Sequence, residues 1–477
     1  MIEPLNPRGG KNFIDEGFIS GLLAGSRPPE KARVKDIIQK SLAVETLSPE
    51  ETALLLSVTE TPVWNEMFEA AAQVKRKVYD NRVVVFAPLY CSNLCVNNCL
   101  YCGFRSENKA IVRRRLGMDE IRREAAALAL GPGHKRLILV CGEHPSTGAD
   151  YITEAIKTVY SAGEGGKKIR RVNVNAAPME TDDLKKLKSA GIGTFQVFQE
   201  TYHPQTYAKL HPAGTPKSDF SRRLYSLHAA QKAGIDDVAI GALFGLYDWR
   251  FEVLAMVCHA RDLERTFGIG PHTVSFPRLE PAANTPFAAE SGHLVSDGDF
   301  KKLVCALRLS IPYAGMIVTA RERPEVIRSV MAMCTQRDAS SRIGIGAYSD
   351  RYDEQEAERQ QFLLGDTRSL EEVVGELAEM GYITSFCTAG YRCGRTGGHI
   401  MEMLRSGKEG KLCKLNAALT FREWLDDFAG AETKKAGEKL LERELSEIRS
   451  GDCGKETLSA FCGYYDRVSS GERDLGF

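Results

Sequence analysis

The chain has 477 residues, and its 63 lysines and arginines are balanced by 63 aspartates and glutamates. Zero net charge gives no global field for nucleic acid or an anionic membrane face, and a 43% hydrophobic, 26% charged composition excludes wholesale disorder. The thirteen cysteines are an odd number in a long chain with no basic-then-apolar leader pattern, which favours metal or redox chemistry over a disulfide framework.

Residues 1–82 read as an N-terminal helical segment. Apolar residues recur at helical spacing over 31–40 and 63–79, and Ser48-Pro49-Glu50-Glu51 is a helix start. From residue 83 the pattern changes to short β-branched runs alternating with amphipathic helices. The runs are 83–89, 136–141, 171–175, 194–199, 237–241, 272–276 and 316–319, with a weaker eighth at 342–346. Helical patterns occupy 118–130, 150–162, 181–190, 219–233, 250–267 and 297–310. This is the grammar of an α/β fold, a TIM-like (β/α)8 barrel over 83–355. A doubly wound open sheet is the alternative. The strands are expected to stop near residue 350. Residues 356–477 then form a helical C-terminal extension, with helices at 369–380, 421–428 and 434–449 and a Gly- and Cys-rich stretch at 387–413. The apolar runs fall far short of the ~20 residues that span a bilayer. A soluble, cytoplasmic protein without nucleic-acid or membrane partners is expected.

The chemistry is concentrated in Cys91-Ser-Asn-Leu-Cys95-Val-Asn-Asn-Cys99-Leu-Tyr-Cys102-Gly103, directly after the first strand run. Cys95, Cys99 and Cys102 form C-x3-C-x2-C on a loop at the end where barrel active sites are built. Zinc would want a fourth Cys or His close by, and none follows at short spacing. Three thiolates on a [4Fe-4S] cluster leave one iron open to chelate a small molecule such as S-adenosylmethionine. Cys91 reads as a neighbouring packing thiol.

The triplet resembles that of the radical SAM superfamily. Further segments, among them Leu139-Val-Cys-Gly142-Glu143-His144-Pro145, Phe195-Gln-Val-Phe-Gln-Glu200, Gly270-Pro-His272-Thr, Arg278-Leu-Glu-Pro-Ala282 and Tyr382-Ile-Thr-Ser-Phe-Cys387, resemble the tyrosine lyases of FeFe-hydrogenase H-cluster maturation. The thiamine-pathway tyrosine lyases are more distant relatives. The resemblance implies a radical SAM barrel that cleaves the Cα–Cβ bond of L-tyrosine to p-cresol and dehydroglycine. It implies a second cluster that turns dehydroglycine into carbon monoxide and cyanide. It also assigns residues. Gly142 and Glu143 face the methionyl amino group, and Tyr101 lies near the adenine. Glu200 and Arg223 serve the cofactor's ribose and carboxylate, with Asn175 in the same cavity. Arg321 is the expected clamp for the tyrosine carboxylate, a structural pair with Glu322 being the alternative. His272 would help hold a labile iron at the second cluster. A ferredoxin or flavodoxin electron donor and other hydrogenase maturation proteins are the implied partners.

One departure stands out. The family holds its second cluster with C-x2-C-x22-C. Here Cys387 and Cys413 occupy the outer positions and Gly390 the middle one, with Cys393 as the possible substitute. Rival readings are a radical SAM lyase of another amino acid, a lyase that stops at dehydroglycine, and an iron–sulfur carrier.

Overall fold

The first β-branched run folds as an 11-residue strand, β1 (Arg82–Ser92). It belongs to a computed structural model that describes residues 12–282, 284–285, 287–349, 360–389, 402–403, 408–451 and 454–477. Seven parallel strands follow: β2 (Arg136–Cys141), β3 (Arg171–Asn175), β4 (Phe195–Gln196), β5 (Val238–Gly241), β6 (Thr273–Ser275), β7 (Gly315–Val318) and β8 (Gln336–Asp338). Their order is sequential from β2 to β8 and then β1, and a β1–β2 pairing closes the barrel. Ala87 of β1 lies opposite Leu137 of β2, and Val84 opposite Gln336 of β8. The open-sheet alternative is thereby excluded.

The period-two pattern of the strands sorts the side chains. Val85, Ala87 and Leu89 of β1 and Leu137 and Leu139 of β2 join the main core. Their neighbours Phe86 and Ile138 pack with Ile317 in a small separate cluster. Phe86, Pro88, Tyr90, Ile138 and Val140 line a cavity in the barrel.

Two strand expectations need correction. The eighth strand is Gln336–Asp338, not 342–346. Its residues are polar, and burial is tolerated because Arg337 pairs with Asp366 at 2.9 Å while Asp338 accepts from the Ala320 amide at 2.7 Å. Strands also do not stop at residue 350. A ninth, β9 (Ile383–Ser385), pairs in parallel with Arg82–Val84 of β1. Val84 has β8 on one edge and β9 on the other, so β9 continues the barrel wall below β2.

Two helix expectations also change. The pattern at 219–233 is broken at Tyr225 into Phe220–Leu224 and Ser226–Lys232. The helix expected at 421–428 is the end of a longer one, Lys408–Phe428, which carries Cys413.

Four N-terminal helices lean on the outside of the barrel. Ser48 caps the Pro49–Leu56 helix in a full capping box with Glu51, and the Ser41 hydroxyl donates to the Leu309 carbonyl at 2.8 Å. The C-terminal helices instead meet residues before the first strands. Trp424 donates to the Pro132 carbonyl at 2.9 Å, Asn81 to Glu444 at 2.7 Å, and Arg170 pairs with Asp474 at 2.9 Å. The C-terminal helices therefore cover the N-terminal end of the barrel, while Gln361, Phe362 and Leu364 join the cysteine loop at the C-terminal end. Among the described residues, no helix is long and apolar enough to cross a membrane.

Candidate active site

At the C-terminal ends of the strands lies a cavity of about 220 Å3. Cys95, Cys99 and Cys102 line it, as do Tyr101, Gly142, Glu143, Asn175, Glu200, Arg223 and Arg321. Burial pushes the Cys99 thiol up to about 12 and also raises Cys102, and in both the neighbouring triplet thiols push the same way. A cationic cluster bound to all three would relieve that repulsion. Among the described residues, no three His, Cys, Asp or Glu side chains converge on a single-metal site. All three cysteines nevertheless face the one cavity.

The cysteine loop is held from several sides. Arg113 donates to the carbonyls of Asn93 (2.7 Å), Phe104 (2.8 Å), Arg105 (2.6 Å) and Asn108 (3.2 Å). The Val96 amide donates to the Glu143 carbonyl at 2.8 Å, and the Gly142 amide to the Ser92 carbonyl at 3.0 Å. Position 142 has no room for a side chain, because a Cβ there would lie 2.3 Å from the Leu94 carbonyl oxygen. The glycine is required by this close approach. The Glu143 carboxylate accepts from Asn97 at 2.7 Å and Arg222 at 3.1 Å.

Across the cavity, Glu200 sits in the left-handed region at φ 70° just after β4. Its carboxylate receives Lys217 Nζ at 2.7 Å and Arg223 Nη2 at 3.0 Å. Burial works to raise its pKa, but Lys217 and Arg223 outweigh it and hold the group at about 2. The Lys217 ammonium also lies 5.6 Å from the Tyr101 ring centroid, and the Tyr101 hydroxyl meets His211 Nε2 at 2.8 Å. Burial drives His211 down to about 3, so its imidazole is neutral at pH 7.

Arg321 follows β7. Glu322 is not its partner, because both oxygens of that carboxylate accept from Arg278 Nε at 3.0 Å. The Arg321 guanidinium lies 3.2 Å from the centroid of the Phe362 ring. No carboxylate among the described residues hydrogen-bonds it, so its donors remain open towards the cavity. Glu280 lines the same cavity, and burial together with Glu322 raises it to about 7.

His272 and Cys387 are elsewhere. His272 stands just before β6, and its electrostatic neighbours are Asp237, Arg171, Arg136 and Arg82, all near the N-terminal ends of strands. Cys387 follows β9, and its carbonyl accepts from Arg136 at 3.3 Å. Both therefore lie at the opposite end of the barrel from the triplet. Cys413 is buried on the Lys408–Phe428 helix, which packs on β9. Gly390 and Cys393 lie outside the described residues. Lys217, Glu280 and Gln361 escaped sequence reasoning. Lys217 sits in an ordinary-looking Thr-Pro-Lys-Ser turn, and nothing near Gln361 carries a pattern. Glu280 lay within the quoted Arg278–Ala282 segment but received no role.

Residues 89–255 match the Radical SAM superfamily, and 275–383 match the Biotin and Thiamin Synthesis associated domain. The chain is 31% identical over 347 residues to 2-iminoacetate synthase of Escherichia coli (strain K12), covering 72% of this chain and 88% of that protein. A crystal structure of HydG, a maturase of the [FeFe]-hydrogenase, is 43% identical with a TM-score of 0.92, covering 98% of this chain and 100% of the other. HydG from Carboxydothermus hydrogenoformans is 38% identical with a TM-score of 0.78, over 94% of this chain and 96% of the other. The barrel, its loop and these matches define an enzyme of the carbon–carbon lyase kind that uses a [4Fe-4S] cluster with S-adenosylmethionine. The chain belongs to the radical SAM superfamily, in close relation to the HydG maturases and the 2-iminoacetate synthases.

Proposed function

We propose that the chain cleaves the Cα–Cβ bond of L-tyrosine, giving p-cresol and dehydroglycine, within FeFe-hydrogenase maturation. Cys95, Cys99 and Cys102 would hold the cluster. When bound, the cluster and S-adenosylmethionine supply a hydrogen-abstracting carbon radical. The chain's own residues do the rest. Gly142 and Glu143 close the cavity beside the triplet. Glu200, Arg223, Asn175 and Tyr101 place polar groups along the cofactor's path. Lys217 keeps Glu200 ionised, so that it accepts hydrogen bonds from hydroxyl groups. Arg321 takes the substrate carboxylate in its guanidinium fork.

The observation that carries this reading is the Arg321 guanidinium, held over Phe362 and facing the same cavity as the three thiols, with no carboxylate among the described residues hydrogen-bonded to it. The test is anaerobic reconstitution with tyrosine, S-adenosylmethionine and reductant. 5′-Deoxyadenosine and p-cresol should appear together. If neither forms, the lyase assignment fails. A ferredoxin or flavodoxin would supply the electron in the cell.

A reaction that continues to carbon monoxide and cyanide is favoured by one further observation. The match to HydG extends over 98% of the chain and so includes the C-terminal extension, whereas the match to 2-iminoacetate synthase covers 72%. Cys387 and Cys413, with Cys393 in place of the absent thiol at Gly390, would hold the second cluster, and His272 the labile iron. Iron counting and EPR on this chain beside Gly390→Cys test it. A variant that gains no new cluster signal would overturn the role given to Gly390.

A further inference from the structure

Residues 360–364 cross the cavity between the cysteine loop and Arg321. They pack so closely on the loop that a Cβ at Gly103 would lie 2.8 Å from the Gln361 carbonyl oxygen and 2.9 Å from that of Gln360. The Gly103 amide donates to the Gln361 carbonyl at 3.2 Å. The segment is pinned beyond this point as well, by Leu363 N to the Pro281 carbonyl at 3.1 Å and Gly365 N to the Ala320 carbonyl at 2.9 Å.

Two consecutive side chains of this strap reach different groups. Gln361 Nε2 donates to Cys102 Sγ at 3.5 Å, while Gln361 Oε1 accepts from the Tyr90 hydroxyl at 3.1 Å. The pairing fixes the amide's orientation, since the sulfur takes the N–H and the hydroxyl proton takes the oxygen. The next residue, Phe362, carries the Arg321 guanidinium on its ring face at 3.2 Å. Hydrogen bonds to ligand sulfurs stabilise the more negative, reduced cluster and so set its potential.

We infer that Gln361 and Phe362 couple the substrate site to the cluster. Substrate carboxylate on Arg321 shifts Phe362, Phe362 shifts the Gln361 amide, and the N–H···S bond to Cys102 changes with it. Tyrosine thereby alters the potential at which the cluster accepts its electron. Gln361 is a positioning residue in this scheme. The inference rests on the proposed function for the roles of Cys102 and Arg321.

The experiment is an EPR-monitored redox titration of the reconstituted full chain, with and without tyrosine, on the wild type, Gln361→Leu and Phe362→Leu, each checked for iron content. The wild type should shift its midpoint potential and its EPR line shape when tyrosine is added. Gln361→Leu should titrate at a lower potential without tyrosine and show no tyrosine response. Phe362→Leu should keep the wild-type potential without tyrosine and lose the response. Coupling is overturned if Gln361→Leu titrates at the wild-type potential, if Phe362→Leu keeps the full shift, or if the wild type makes p-cresol without any shift. A wild type that makes no p-cresol sinks the substrate assignment and the coupling with it, and the tyrosine-free titrations then still decide the hydrogen bond to Cys102.

Discussion

The two ends of the barrel are built from the same charge motif in different ways. At the C-terminal end, Glu200 stands among Lys217, Arg223 and Arg321, two of which touch it directly. At the N-terminal end, Asp237 pairs with Arg171 at 2.5 Å, with Arg136, Arg82 and His272 around it. Glu200 and Asp237 each have more than one cation close by. Between them the interior is closed by the apolar contact of Phe86, Ile138 and Ile317. The upper end draws its residues from loops that follow barrel strands and from the 360–364 segment of the extension. The lower end is completed by β9 and the C-terminal helices. The upper cavity thus combines barrel loops with one crossing segment of the extension, whereas the lower end joins strand starts to β9 and the C-terminal helices.

The sharpest way to separate the ends is Cys99→Ala. Formation of 5′-deoxyadenosine and p-cresol should fall to background and one cluster's iron should be lost, while far-UV circular dichroism stays unchanged. Retained p-cresol formation would place the chemistry elsewhere. The next largest effect comes from unpairing the two carboxylates. Glu200→Gln and Asp237→Asn should each cost on the order of 3 kcal/mol, because each leaves buried cations without their counter-charge. Thermal unfolding would show similar losses for the two variants. Only Glu200→Gln should also weaken S-adenosylmethionine binding.

The same pair makes a pH prediction. The Glu200 carboxyl lies at about 2, below its usual 4.5, so it binds its proton less readily folded than unfolded. Its contribution is complete above about 4.5 and is lost as pH falls towards 2, a loss of about 3 kcal/mol that Glu200→Gln should abolish. An acid-unfolding midpoint unchanged by the substitution would contradict this.

Apolar runs made the strand ends of the upper end legible, while the residues singled out there came from the family resemblance. β2 and β3 coincide with their expected spans, and Gly142, Glu143 and Asn175 fall where the runs stop. The failures share a physical cause. β8 hides in Gln336-Arg-Asp338 because ion pairing through Asp366, rather than hydrophobicity, allows its burial. β4 shrinks to two residues because its ladder is interrupted after Gln196 and pairing resumes only where the left-handed Glu200 bridges Ala242. β9 is a three-residue strand that depends on an edge of β1 exposed below β2, which no local pattern announces. Lys217 looks like a surface lysine until the fold brings Glu200 to it.

A smaller effect should follow from crowding the upper end at its narrowest approach. Gly142→Ala would drive a Cβ into the Leu94 carbonyl and to 3.2 Å from the Cys95 Cβ. Neither is the free end of a flexible side chain, so the cysteine loop must shift. We expect a stability loss of about 1–3 kcal/mol and a larger relative loss of reconstituted iron at the upper end. Full iron uptake would show that the loop tolerates the shift.

The smallest effect should touch neither end. Ser48 Oγ accepts from the Glu51 amide at 3.2 Å, and Glu51 accepts from the Ser48 amide at 3.1 Å. The helix they start reaches the barrel through Thr52, whose hydroxyl meets that of Ser310 at 2.9 Å. Ser48→Ala removes one cap and should cost about 1 kcal/mol, seen as a fall in Tm of less than about 3 °C in a chain of this length. Glu51 keeps its contact with Lys40, so the helix stays docked. Iron content and p-cresol formation should match the wild type below the transition. If p-cresol formation fell while Tm barely moved, the N-terminal helices would be shaping the catalytic end instead of bracing the barrel from outside.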